Sequence, residues 1–395
     1  MKKTLWLMTF ILCLYSISAF SANTCTDVLN DKHPGYMLFL EDCSLSNEDM
    51  PAVNTYLGKH PEIRMLYLTK NQIGAEGLAK LTHARHIEHL QISENRINDD
   101  GARIIGQMTN LRVLVIENNL IGAQGAIALA RLPQLQSLYL SNNHIKSEGA
   151  IALAGSKTLS TLEVRDNNIL SDGVITLAKN EHITKLDVSK NHVDDLALVA
   201  LASSRSLQTL VLEDSRLDDG ATTILANSRS MRELRLQNNL IGDDGASALA
   251  GSKLFELDLS ANRVNDIGVI ALSHSNSIRM LHLRNNAGQI HANGFNSISA
   301  NNLIWFLDLT NNHITDNDAA ILATSDSITH LDLSQNDLHD AGAIALAKNH
   351  VLINLSVINN KIGQLGINAL RQNDTLDELY TEGNVGDSVI DILTR

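Results

Sequence analysis

The sequence predicts an α/β solenoid of about 15 coils. Each coil gives one short strand to a parallel sheet on the concave face and one short helix to the convex face. Three observations carry this. A unit of 24 residues recurs along nearly the whole chain, as at Leu111, Leu135 and Leu159. Each unit holds two apolar residues flanking an outward one, as in Leu138-Tyr139-Leu140, the period-two mark of a strand. Acidic or small residues then follow, such as Asp99-Asp100, Asp218-Asp219 and Asp243-Asp244, which read as sitting in one register and suit a helix N-terminus.

A length of 395 residues would otherwise indicate two or three domains, but a solenoid grows without a central core. Aromatics make up only 4%, so the core must be aliphatic. The net charge of −13 repels phosphate and argues against nucleic acid as a partner.

Residues 1–21 read as a secretory leader. Lys2 and Lys3 precede the apolar run Leu5–Tyr15, and Ala19-Phe20-Ser21 is a small-x-small cleavage site leaving Ala22 first. The rival reading is an uncleaved anchor, since Thr4 to Asn23 carries no charge. Removal of the leader takes Cys13 with it and leaves Cys25 and Cys43 as an even pair in an oxidising compartment. Their bridge would close a short loop beside the first coil, worth about 3 kcal/mol in the chain-entropy model. Two free buried thiols are the alternative.

Residues 22–62 form an N-terminal cap with an irregular first coil from Gly35, in which Leu38, Leu40, Cys43 and Leu45 keep the frame. Residues 63–375 hold the regular copies, starting at Ile63, Ile87, Leu111, Leu135, Leu159, Ile183, Leu207, Met231, Leu254, Ile278, Ile304, Ile328 and Leu352. The Met231 copy is one residue too short, and the Ile278 copy is two residues too long, around Ala287–Ile290. Residues 376–395 are a truncated last coil. Asn fills the turn after the strand in thirteen coils, from Asn71 to Asn384, where its amide can satisfy unpaired backbone groups. Cys43 and Ser215 are the exceptions and should mark weaker joints. Gly101, Gly125, Gly149, Gly173, Gly220, Gly245, Gly268 and Gly342 read as a column of small residues that lets helix approach sheet. Asp318 breaks that column, so its helix should sit differently. Thin helices outside and close strands inside would curve the stack into a right-handed horseshoe.

The L-x-x-L-x-L-x-x-N-x-L frame resembles the leucine-rich repeat family over nearly all of the chain after the leader. The run Ile121-Gly122-Ala123-Gln124-Gly125-Ala126-Ile127-Ala128-Leu129-Ala130 resembles the bacterial Gly-Ala-Leu-Ala subclass, which is similar to the ribonuclease-inhibitor type. The resemblance implies helices on the outer wall and a role in proteins aimed at host cells. Relatives often carry an F-box ahead of the repeats, and none is evident between the leader and Ile63.

No catalytic motif is present: no G-x-S-x-G, no H-E-x-x-H and no G-x-x-x-x-G-K-[ST]. Ligases on this scaffold use a Cys in an added C-terminal domain, and no Cys follows Cys43. His83-x-x-His86-x-x-His89 has the look of a metal cluster, but the frame puts His83 in a return segment and His89 on a strand. The Asp pairs lack the ordered calcium-loop pattern. The expectation is a non-enzyme with no cofactor and no metal.

Strand residues facing away from the core remain as the informative ones. Large side chains there are candidates for contact. One zone joins Arg235, Phe255, Asp258, Met280, His282, Arg284, Trp305, Phe306, Asp308, His330 and Asp332. A secondary zone holds Phe39, Tyr67, Val115 and Tyr139. Trp305 and Phe306 should both precede the core Leu307, or else simply pack against the insertion. These zones predict a monomeric, secreted or periplasmic scaffold that takes a protein partner on its concave face, with no membrane insertion after cleavage. The alternative is a binder of a cell-surface glycan stacking on Tyr67 and Tyr139.

Overall fold

The structure, a computed structural model, describes residues 35–286 and 290–386 together with Cys25 and Leu29. The leader at 1–21, the insertion residues Ala287-Gly288-Gln289 and residues 387–395 of the last coil lie outside the described residues. The chain divides into two compact units, Met1–Leu159 and Ser160–Arg395.

Fifteen three-residue strands alternate with short helices among the described residues, as the 24-residue period requires. The first unit holds β1 (Met37–Phe39), β2 (Met65–Tyr67), β3 (His89–Gln91), β4 (Val113–Val115) and β5 (Ser137–Tyr139). The second holds β6 (Thr161–Glu163), β7 (Lys185–Asp187), β8 (Thr209–Val211), β9 (Glu233–Arg235), β10 (Glu256–Asp258), β11 (Met280–His282), β12 (Phe306–Asp308), β13 (His330–Asp332), β14 (Asn354–Ser356) and β15 (Glu378–Tyr380). Within each unit every strand pairs in parallel with the next in sequence. The fold is the predicted leucine-rich-repeat solenoid.

Only the middle residue of each strand points into the core, as with Leu138 and Leu307, both fully buried. The core is aliphatic as expected, with Phe295 the largest fully buried side chain among the described residues. Both length defects fall outside the ladder: β9 pairs with β10 and β11 with β12 at matched positions. The short copy loses its residue in the return turn at Ser252-Lys253-Leu254, where the preceding coil has Ser228-Arg229-Ser230-Met231.

The Asn ladder ties each coil to the one before. Asn119 Nδ2 donates to Ile92 O of the preceding coil at 3.1 Å, and its Oδ1 accepts from Ile97 N at 2.9 Å. Asn336 repeats this with Leu309 O and Ile314 N. Ser215 makes no such reach; its hydroxyl donates to Glu213 O, 2.9 Å away in its own coil. Arg165 passes over the intervening coil at the same level and pairs with both Glu213 and Asp214. The residue before each ladder Asn has φ between 50 and 58°, from Lys70 to Asn359. Cys43, the other exception, is disulfide-bonded to Cys25 with Cα atoms 5.9 Å apart, within the ordinary span of such bonds.

The helices correct two expectations. The Asp pairs do not share one register: Asp218 is an N-cap whose side-chain oxygen accepts from Ala221 N, where Asn98 and Gly242 cap the helices that start at Asp99 and Asp243. Gly220 likewise falls outside the glycine column, and Ala221 stands in it. The column itself serves contact between neighbouring helices, not between helix and sheet. A Cβ on Gly125 would lie 2.7 Å from Asp99 Oδ1 and 2.9 Å from Ala102 Cβ, both on the preceding helix. Asp99 Oδ1 needs that space because it accepts from Gly122 N and Gly125 N of the next coil. Asp243, Asp266 and Asp316 do the same one coil ahead.

After two of the Ala residues at this position the next helix caps itself, whereas after Ala123 the helix starting at Lys146 has Ile145 as its N-cap and no side-chain cap bond. Asn98 follows Ala75 and accepts from Gly101 N. Asp318 follows Ala292 and closes a capping box with Thr315. Asp318 therefore replaces glycine because its helix start receives no carboxylate from behind.

Candidate functional site

Period two leaves the first and third residues of every strand on the open face of the sheet. In the second unit, registered pairing stacks Arg235, Asp258, His282, Asp308 and Asp332 into one column. Glu233, Glu256, Met280, Phe306 and His330 form the column beside it. The predicted residues on these five strands thus share one face. Glu233 and Glu256 were missed, although the alternation that exposes Met280 exposes them equally. Arg284 stands just past β11, and Phe255 and Trp305 stand just before β10 and β12, on the N-terminal rim.

Trp305 and Phe306 both precede Leu307, as expected, but take different neighbours. Phe306 lies over His282 with ring centres 4.9 Å apart. Trp305 meets His330 edge-on at 5.2 Å and Phe306 at 6.1 Å. Burial pushes the His330 imidazole below its ordinary pKa, keeping it neutral beside the indole.

A chain of alternating charges crosses both columns. Arg235 Nε sits 2.7 Å from Glu233 and its Nη2 3.5 Å from Glu256. His282 lies between Glu256 at 3.7 Å and Asp308 at 3.8 Å. Arg284 reaches Asp308 at 3.6 Å. Burial and then the neighbouring Glu233 raise the Glu256 pKa. Burial works against a charge on His282, but Asp308, Asp258 and Glu256 outweigh it and raise the imidazole pKa. Burial would likewise raise Asp308, yet His282, the two bonds from Thr310 and Arg284 bring it below the ordinary value. His282 Nε2 is covered and has no hydrogen-bond partner among the described residues.

The aspartates of the central column are less available than the sequence implied. Asp258 and Asp308 are 9% and 7% exposed. One oxygen of each is spent on the turn: Asp258 accepts from Ser260 N at 2.8 Å and Asp308 from Thr310 N at 3.0 Å. Asp187 and Asp332 bind Ser189 and Ser334 in the same way. The shared Asp-x-Ser/Thr spacing was a readable signal of this turn. The other oxygens are engaged as well, Asp258 by Gln237 and Asp308 by His282 and Arg284, so Glu256 and the rings are what the face offers a partner most readily.

In the first unit, Phe39 stacks on Tyr67 at 4.5 Å, and His89 lies on the other side of Tyr67 at 5.4 Å. Val115 and Tyr139 pair across β4 and β5, but Gln91 separates them from Tyr67. His83 is tied to Asn54, away from the strand that carries His89. Among the described residues, no three His, Cys, Asp or Glu side chains are grouped to hold a metal. No helix among them is long and apolar enough to cross a membrane.

No curated protein sequence matches the chain. Among solved structures, an internalin from Listeria monocytogenes is 19% identical, with 91% of this chain and 93% of that chain aligned and a TM-score of 0.47. A chain of the mouse RP105/MD-1 complex is 16% identical, over 88% of this chain and 67% of that one, with a TM-score of 0.52. The leucine-rich-repeat ectodomain of the Arabidopsis thaliana receptor kinase GASSHO1/SCHENGEN3 is 16% identical, over 92% and 48%, with a TM-score of 0.44. The RP105/MD-1 match supports the fold and nothing finer. One leucine rich repeat family model matches residues 85–145 and 229–287, and a second matches 63–81, 155–178, 179–202 and 324–347. Between them they cover more than half of the sequence, and the chain belongs to the leucine-rich repeat proteins.

Proposed function

We propose that the chain is an exported, non-enzymatic scaffold that captures a partner protein on the open, concave face of its sheet. The strip from Arg235 to Asp332 supplies the main contacts. The observation that carries this reading is the cluster of Met280, Phe306, Trp305 and His330 directly beside Glu256 and Asp308. Ring anchors bordered by charge are the composition of interaction hot spots. The surplus of carboxylates favours a partner segment bearing Lys or Arg. Export rests on the leader pattern at 1–21 and on the Cys25–Cys43 bond, which persists in oxidising compartments. A host-directed role follows the Gly-Ala-Leu-Ala resemblance. The mouse RP105/MD-1 complex, a chain of which shares this fold, is an assembly of two proteins, in keeping with capture of a protein. The glycan alternative gains nothing from Tyr67, whose ring lies between Phe39 and His89.

The test is a pull-down comparing host lysate with bacterial periplasm, using the chain and a variant with Trp305→Ala, His282→Ala and Asp308→Asn. Asn at 308 keeps the acceptor for Thr310 and so spares the turn. The folded variant is expected to lose the partner. Undiminished capture would refute this placement.

A further inference from the structure

The N-terminal rim of the sheet in the second unit carries a feature that protein capture on the open face shares only at Phe255 and Trp305. In four successive coils the residue just before the strand is Arg232, Phe255, Arg279 and Trp305. Backbone bonds hold them in a row. Phe255 N donates to Arg232 O at 2.7 Å, Arg279 N to Phe255 O at 2.9 Å and Trp305 N to Arg279 O at 3.1 Å. A cation and a ring therefore alternate, one per coil, at a step of about 4.8 Å. Phe255 is 43% exposed. Each guanidinium is anchored on one side by its own chain: Arg232 Nη1 donates to Met231 O at 3.0 Å and Arg279 Nη1 to Ile278 O at 3.1 Å. Fixing one prong of the fork leaves the other donors set for an outside oxyanion.

A second row of cations runs alongside. Arg205, Arg229 and Lys253 hold the same place in three consecutive return turns, and all are exposed. Arg232 Nη1 joins the rows by reaching Lys253 O at 3.5 Å. Arg205 and Arg229 also line one open hollow of about 440 Å³ with Asn227 and Ser230. Among the described residues none of these five cations has a carboxylate partner. Like charges stacked in neighbouring coils repel, so the fold gains nothing from them. The row is also bounded: Glu181 holds the equivalent place before Arg205, and Asn276 and Asp326 hold it further on. In a chain of net charge −13 this is a local reversal of sign.

We propose that this rim binds an acidic polysaccharide, a linear glycan bearing sulfate or carboxylate groups, laid across the coils. The forks of Arg232 and Arg279 take the oxyanions, and Phe255 and Trp305 offer flat apolar faces to the sugar rings between them. A pyranose ring is about as long as one coil step, so charge and ring stay in phase along the row. An extended acidic peptide presents side chains on one face about every 6.8 Å and drifts out of phase with the coils.

The test measures binding of fluorescein-labelled heparin to the full chain by anisotropy at physiological ionic strength. Unlabelled hyaluronan, poly-glutamate and single-stranded DNA serve as competitors. Heparin is expected to bind, to weaken steeply with added salt, and to lose roughly ten-fold or more in affinity in Arg232→Ala/Arg279→Ala. Arg205→Ala/Arg229→Ala, in exposed turns, should weaken it too. His282→Ala/Asp308→Asn on the open face should leave it unchanged, which separates this site from the protein-binding one. Effective competition by hyaluronan assigns carboxylated glycans as well as sulfated ones. The proposal is overturned if heparin does not bind, if both arginine pairs can be removed from a chain of unchanged Tm without loss, or if poly-glutamate or DNA competes better than either glycan.

Discussion

Asp99 Oδ1 stands 2.8 Å from the amide nitrogen of Gly125, one coil ahead of it. The same oxygen lies 2.7 Å from where a Cβ on Gly125 would be, with Ile121 Cγ2 also at 2.7 Å. Glycine is thus required by the carboxylate that caps its helix together with the methyl groups of Ile121 and Ala102. Gly125→Ala is expected to lower stability by about 1–3 kcal/mol through overpacking. Urea unfolding checks it. Asp99→Ala/Gly125→Ala should relieve only the clash with Oδ1, leaving those with Ile121 and Ala102, and should not restore the cap, so a double variant as stable as the parent would contradict the account.

Asn143 is 1% exposed and links three carbonyls to one amide of the coil behind it: its Nδ2 donates to Ile116, Leu140 and Ser141, and its Oδ1 accepts from Ile121 N. Truncation strands these groups in a dry interior. Asn143→Ala should cost about 3 kcal/mol, the penalty for unsatisfied buried polar groups. A change in unfolding midpoint no larger than that of an exposed Asn would show that the ladder carries little stability.

Ala261 has φ 53°, the left-handed turn conformation that Asn142, Asn238 and Asn311 adopt in their own coils. An alanine Cβ is strained there, where glycine is not. Ala261→Gly is expected to stabilise the chain by about 1 kcal/mol, less the flexibility glycine adds to the unfolded state. Thermal unfolding would read this as a small rise in Tm, and a fall would place the strain elsewhere.

His282 and Asp308 make stability depend on pH in two windows. The imidazole pKa is raised above 6.5 in the folded chain, so its contribution is complete below that value and fades as pH rises through the folded one. Asp308 is lowered below 3.8, so its contribution is present above that value and disappears as pH falls through the folded one. Asp308→Asn should bring the His282 titration down, as followed by NMR of the imidazole. A His282 curve that ignores this substitution would assign the raised pKa to Asp258 and Glu256 instead.

Much of this was legible because the repeat writes its rules fifteen times. Strand positions, the buried middle leucine and the Asn ladder follow from spacing, and the pairing of Cys25 with Cys43 from their being the two cysteines left after the leader. The paired asparagines were only half understood: the second bridges coils, while the first, as in Asn118-Asn119, serves the left-handed turn. A linear reading also could not see that Gly125 answers to Asp99. That relation runs between coils, and a frame read one coil at a time looks only within each. Arg232 and Arg279 escaped for a related reason. They lie one residue before the strand, outside the alternation that defines the face, and only the stacking of coils brings them into a row with Phe255.

The division between helices capped from behind and helices that cap themselves restricts how such a chain can be lengthened or shortened. A duplicated block inserts cleanly only if its last coil offers what the following coil lacks. A cut placed before Asn98 or Thr315 leaves a self-sufficient start, whereas one placed before Gly125 or Gly342 strands a glycine with no carboxylate to receive. Chimeras joined at the first kind of boundary should therefore assemble, and the second kind should fray from the splice.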